Sequence, residues 1–140
     1  MSSDAAIAEA IEAFIKQDPD TQEDNIITEL VALEVKTGLK YEKKSNGMIR
    51  ILKNKANGRY RIVMRANKTY EPLLNHFVLP FLKIADSECS YKVDDYATGS
   101  MKKMDIRIVF PPSRAKSMET FREKFLEAQK GNEAILNKPK

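Results

Sequence analysis

The chain has 140 residues, of which 42% are apolar and 31% charged, with a net charge of +4 and a single cysteine. That describes one globular domain long enough to bury a core. It excludes an internal disulfide or a cysteine-built metal cluster, and Cys89 without a secretory signal points to a reducing compartment.

No apolar run approaches the roughly 18 residues of a membrane span. The charge is unevenly placed. Residues 1–25 hold seven acids against Lys16, a net −6, while the other 115 residues carry +10. Such a division fits two separate binding surfaces, an acidic arm masking a basic body, or charges that only solubilise the ends.

In chain order, residues 5–16 predict a short amphipathic helix, with Ile7, Ile11, Phe14 and Ile15 on one stripe. That stripe suits docking on this chain or a partner, or an export-type peptide. Asp18-Pro19 ends it, and an acidic linker follows to residue 25. From Ile26 to Lys36 the composition is β-like, and Thr37-Gly38 turns the chain into the next strand. In Tyr41–Arg65, Ile49 and Ile51 alternate with Arg50 and Lys53, and Tyr60, Ile62 and Met64 alternate with Arg59, Arg61 and Arg65. Period-two alternation marks strands with one buried face. Lys55-Ala56-Asn57-Gly58 predicts the hairpin turn between them, with Asn-Gly taking positive φ.

Residues 69–79 predict another strand, placed at an edge or bulge by Pro72. Phe81–Ile84 predicts a short strand, Cys89–Tyr96 a sixth, and Lys103–Phe110 a seventh, with Met104, Ile106, Ile108 and Phe110 inward. Pro111-Pro112 stops the sheet. Ser113 or Ser117 then caps a helix carrying Met118, Phe121, Phe125 and Leu126, which Gly131 ends. The division is an arm over 1–25, a domain over 26–131 and a loose tail over 132–140. The expected fold is mostly β with α: a seven-stranded curved barrel of the pleckstrin-homology-like type, its open end plugged by one C-terminal helix.

Catalytic devices are missing from the pattern. No glycine-rich phosphate loop with its lysine and serine occurs. His76, the only histidine, has no cysteine beside it and reads as satisfying backbone groups at a strand end. Asp94-Asp95 reads as a solvated loop pair. The chain is therefore not an enzyme and takes no cofactor or metal. What stands out is the basic hairpin: Lys43, Lys44, Arg50, Lys53, Lys55, Arg59, Arg61 and Arg65. Arginines at alternating positions suit forked recognition of phosphates or carboxylates. Nucleic acid, a phosphoinositide and an acidic peptide are the candidates. Nucleic acid is disfavoured because Tyr60, the one aromatic in the strand, points inward.

Three segments then carry a resemblance. Asn46-Gly47-Met48-Ile49-Arg50-Ile51-Leu52-Lys53, Gly58-Arg59-Tyr60-Arg61-Ile62-Val63-Met64-Arg65 and Asn75-His76-Phe77-Val78, followed by Ile106–Phe110 and the Phe121/Phe125 helix, resemble the Ran-binding domain over about 28–130. The resemblance implies a monomeric binding module for the small GTPase Ran in its GTP form, engaging Ran's acidic C-terminal tail. It further implies assistance to the GTPase-activating protein and to release of Ran from transport receptors. The implied contact residues are Tyr41, Lys43, Lys44, Arg50, Lys53, Arg59, Arg61, Arg65 and Asn75. Nucleic acid and membrane are not implied partners; the implied location is cytoplasmic, or also nuclear or at the nuclear pore. Tyr41 replaces the family's tryptophan and Lys44 its arginine. The alternatives are a phosphoinositide- or peptide-binding adaptor of the same superfold, or a nucleoporin-type domain. A first turn as short as Thr37-Gly38 counts against the lipid reading.

Overall fold

Alternating apolar residues build two long strands that start the fold, β1 (Glu23–Thr37) and β2 (Lys40–Asn54), in a computed structural model that describes residues 22–137. The 5–16 helix lies outside the described residues, as do the last three residues of the tail. Val31, Leu33 and Val35 of β1 and Ile49 and Ile51 of β2 face inward and are buried. β3 (Tyr60–Ala66), β4 (Pro72–Phe77), β5 (Cys89–Asp95) and β6 (Lys102–Val109) follow. They form one antiparallel sheet in the order β4-β3-β2-β1-β6-β5. The chain ends in a 3-10 turn, Pro112–Arg114, and a helix α1, Ala115–Leu136.

The sheet curls because two of its pairings carry three register shifts, at Asn25/Ile27 and Leu33/Glu34 between β1 and β2 and at Met64/Arg65 between β3 and β4. Extra residues at such points bend a strand and increase its twist. α1 lays Phe121, Phe125 and Ala128 into the concave side, all fully buried. Phe125 stacks at a tilt on Tyr91 with centroids 5.0 Å apart, and Phe121 meets Phe110 at 5.7 Å. Cys89 is buried in this core, and burial pushes its thiol up to about 12, so no thiolate forms near neutral pH.

Several expectations need correction. Six strands form among the described residues, because Phe81–Ile84 makes no ladder; its segment turns at 80–81 and runs on without pairing. β1 begins at Glu23, so the boundary drawn at residue 25 falls inside a strand. Only Gly58 of the Asn57-Gly58 pair takes positive φ, at 76°. The turn is instead held by Asn54, whose Oδ1 accepts from the N–H groups of Ala56 and Asn57 at 2.8 and 3.0 Å. No serine caps α1; its N-cap is Arg114 with no side-chain cap bond.

Gly131 does not end α1 either. The helix runs through it to Leu136, and a Cβ there would stand 2.6 Å from Cε1 of Tyr60, so glycine serves close packing of helix on strand. One residue on, Asn132 is fully buried rather than part of a loose tail. Its Oδ1 accepts from Tyr60 N at 2.8 Å, and its Nδ2 donates to the carbonyls of Tyr60 and Val78 at 2.8 and 3.0 Å.

Gly47 marks a second close approach. A Cβ on it would fall 2.2 Å from the Arg65 carbonyl oxygen, a backbone atom of the neighbouring strand. Overpacking of this kind typically costs about 1–3 kcal/mol. Gly47→Ala is expected at the upper end, since β2 and β3 must move apart rather than a side chain swing away. Urea unfolding of the two proteins measures it, and an unchanged midpoint would refute the steric reading.

Candidate partner-binding site

The outer face of β2 and β3 carries Arg50, Arg61 and Arg65, since Ile49, Ile51, Ile62 and Met64 take the inner one. Ladder register places Arg50 between Thr28 and Val63, and Val63 beside Asn75. Arg50 has no side-chain partner among the described residues and is half-buried. Arg65 is exposed and donates to the Tyr70 carbonyl at 3.0 Å, beside a turn in which Tyr70 itself takes φ 58°.

Arg61 is already engaged. Its Nε and NH2 donate to the two carboxylate oxygens of Glu23 at 2.9 and 2.7 Å, and its NH1 donates to Asn75 Oδ1 at 3.1 Å. The fork is largely shielded, with side chains 28% and 13% exposed for Arg61 and Glu23. Planar pairing of this kind is the geometry in which guanidinium binds carboxylate most strongly. Asp24 lies beside Lys55 at 3.5 Å, both side chains about half exposed at 55% and 52%. The acidic residues at the start of β1 thus neutralise part of the basic face.

The expected contact residues do not form one patch. Arg50, Arg61, Arg65 and Asn75 share the β2–β3–β4 face. Lys53 stands near its end, with Nζ 5.4 Å from the Tyr60 ring centroid. Arg59 sits before β3, in the turn, and its N–H donates to Asn57 Oδ1. Lys43 and Lys44 are exposed on β2, with Lys43 opposite Glu34 and Lys44 the extra residue of a register shift. Tyr41 lies apart, near β6: its hydroxyl donates to Asp105 at 3.0 Å and the Arg107 guanidinium covers its ring at 4.3 Å. Burial and then the bond to Asp105 hold that hydroxyl above its ordinary range. Arg107 is steadied by Glu34, to which its Nε donates at 2.7 Å.

Asn75 and His76 also close the seam between β4 and β5, which share no ladder. Asn75 N donates to Asp95 Oδ1 at 2.8 Å, and the Asn75 carbonyl accepts from Tyr96 N at 2.9 Å. His76 lies between Asp95 Oδ1 and the Tyr91 hydroxyl, 2.8 Å from each. With Nδ1 donating to the carboxylate, Nε2 accepts from Tyr91. His76 meets two side chains, where backbone groups were the expected partners. Asp95 is buried, not solvated. Sequence reading missed Glu23, Asp95 and Asn132.

A curved antiparallel sheet of six strands with one C-terminal helix packed on it is a fold of the pleckstrin-homology-like class, here with arginines on its outer face. The chain belongs to the RanBP1 domain family, whose family model matches residues 28–131. It is 28% identical over 97 residues to Ran-binding protein 1 homolog c of Arabidopsis thaliana, covering 66% of this chain and 43% of that protein. It is 29% identical over 98 residues to homolog a of the same plant, covering 66% and 42%. The matches thus span less than half of those relatives' lengths. Its fold is similar to the Ran-binding domain of the nuclear complex component Nup2 from Ashbya gossypii, at TM-score 0.58 and 19% identity, over 78% of this chain and 97% of that one. Family members are binding proteins, and no helix among the described residues is long and apolar enough to cross a membrane.

Proposed function

We propose that this chain binds the small GTPase Ran in its GTP form and lays Ran's acidic C-terminal tail along the Arg50, Arg61 and Arg65 face. In this reading it acts without catalysis, assisting GTPase-activating-protein-stimulated hydrolysis and the release of Ran from transport receptors in nucleocytoplasmic transport. The observation that carries the reading is the fork of Arg61 on the Glu23 carboxylate, steadied by Asn75. This face already grips a carboxylate in the geometry an acidic tail needs. Glu23 then has to give way to the incoming acid. Arg50, without a side-chain partner among the described residues, and exposed Arg65 extend the row.

Calorimetry with purified Ran in both nucleotide states tests the proposal. GTP-loaded Ran is expected to bind at least about tenfold more tightly, the coupling of about 1–3 kcal/mol usual between two linked sites. Equal affinity for the two states would overturn it.

A further inference from the structure

β5 is an edge of the sheet. It pairs with β6 along Cys89–Asp95 without a register shift, and no strand ladders onto its other side among the described residues. Two hydrogen bonds reveal how its backbone faces. The Ser90 carbonyl accepts from Ala85 N at 3.0 Å, and Tyr96 N donates to the Asn75 carbonyl at 2.9 Å, both away from β6. In an antiparallel pair one residue's N–H and C=O point to the same side, and the side alternates along the strand. Lys92 and Asp94 therefore turn both groups away from β6. Nothing among the described residues bonds them there. The edge is tied at both ends and open between.

At that opening lies a cleft of about 920 Å³, bounded by β5, β6 and the unladdered 81–85 segment. Such a volume is at the upper end for ligand pockets. Leu82, Val93 and Met104 line it, with Phe81 51% exposed beside them. Lys36, Lys83, Lys92 and Lys103 surround it against Asp94 and Asp105. Asp105 is already engaged by the Tyr41 hydroxyl. The surroundings are thus basic and the lining apolar.

We propose that this edge and cleft bind a short, extended, acidic segment of a partner protein, added as a further strand beside β5. Two outward residues offer four backbone bonds, enough for a stretch of about three or four residues. Alternate side chains of the guest would enter the cleft, and the acidic ones between would meet the lysines. A second copy of this chain is a poor guest, since it would bring the same lysines to the same edge; charges of this kind guard natural edges against self-pairing. The surface is distinct from the arginine face, because β1 and β6 lie between β2 and β5.

The probe is an end-blocked hexapeptide of alternating glutamate and valine, titrated into the full chain under two-dimensional NMR. Shift changes are expected at Ser90–Asp95 and Lys83. Methylating the peptide nitrogens that face β5 is expected to weaken binding about five- to tenfold, while methylating the alternate nitrogens leaves it nearly unchanged. This comparison alters only the probe, so folding does not confuse it. On the protein, Lys92→Pro removes one outward donor without touching the β6 ladder and is expected to weaken binding similarly; Lys92→Ala, which keeps the N–H, is expected to cost less. Equal binding by both methylated peptides, shifts confined to Arg50, Arg61 and Arg65, or a dimer of the free chain that Lys92→Pro dissolves would each overturn the proposal.

Discussion

Asn132→Ala is expected to lower the unfolding free energy by roughly 3–5 kcal/mol. The side chain is fully buried and clasps the entry of β3: it accepts from Tyr60 N and donates to the carbonyls of Tyr60 and Val78. Removing it leaves Tyr60 N–H without that acceptor and Val78 C=O without that donor, each costing about 1–3 kcal/mol when buried. Tyr60 C=O keeps its bond from Val78 N at 3.3 Å, which limits the loss. A domain of this size has about 5–15 kcal/mol in total, so the variant sits close to the unfolding threshold. Urea unfolding measures it, with Asn132→Asp as a companion that retains the acceptor and loses the donor. A loss below about 1 kcal/mol would show that the last turns of α1 unfold independently of the sheet.

The second large effect concerns binding and has two arms of opposite sign. Arg61→Ala is expected to weaken binding of GTP-loaded Ran about ten- to a hundredfold, the value of one charged hydrogen-bonded pair at about 1.5–3 kcal/mol. Glu23→Gln is expected to tighten it by roughly two- to fivefold, because the fork no longer has to be vacated by an internal carboxylate. Both changes should vanish against Ran lacking its acidic tail. If Arg61→Ala costs as much against tailless Ran, the arginine serves another contact. If Glu23→Gln weakens binding as well, the fork is scaffolding rather than a competitor. Thermal unfolding of both variants separates those outcomes from simple loss of fold.

The pattern of inward and outward residues was legible because strands bury one face: Ile62 and Met64 against Arg61 and Arg65 need no more than alternation. Pro72 declared an edge, and it opens β4 at the sheet's end. What stayed hidden were contacts between residues distant in the chain. Glu23 lies 38 residues from Arg61, and no local signal says that two acids at the end of an acidic run enter a strand. Gly131 followed by Asn132 imitates a helix end. The glycine instead answers a tyrosine ring, and the asparagine a buried backbone, far earlier in the chain. The Asp94-Asp95 pair divides its roles because alternation turns one residue out and the next into the seam.

The clasp at Asn132 also sets an order of assembly. The β2–β3 hairpin leaves the ribosome early, yet the side chain that satisfies Tyr60 arrives 72 residues later. Until then the nascent sheet carries exposed apolar surface and an unfinished turn, the condition under which partly made chains aggregate. β1 waits too, since its second neighbour, β6, is among the last strands made. Closure of the sheet therefore waits for the last turns of α1. A chain stopped a few residues short of Asn132 would hold every strand and still lack the closure that makes them one cooperative unit.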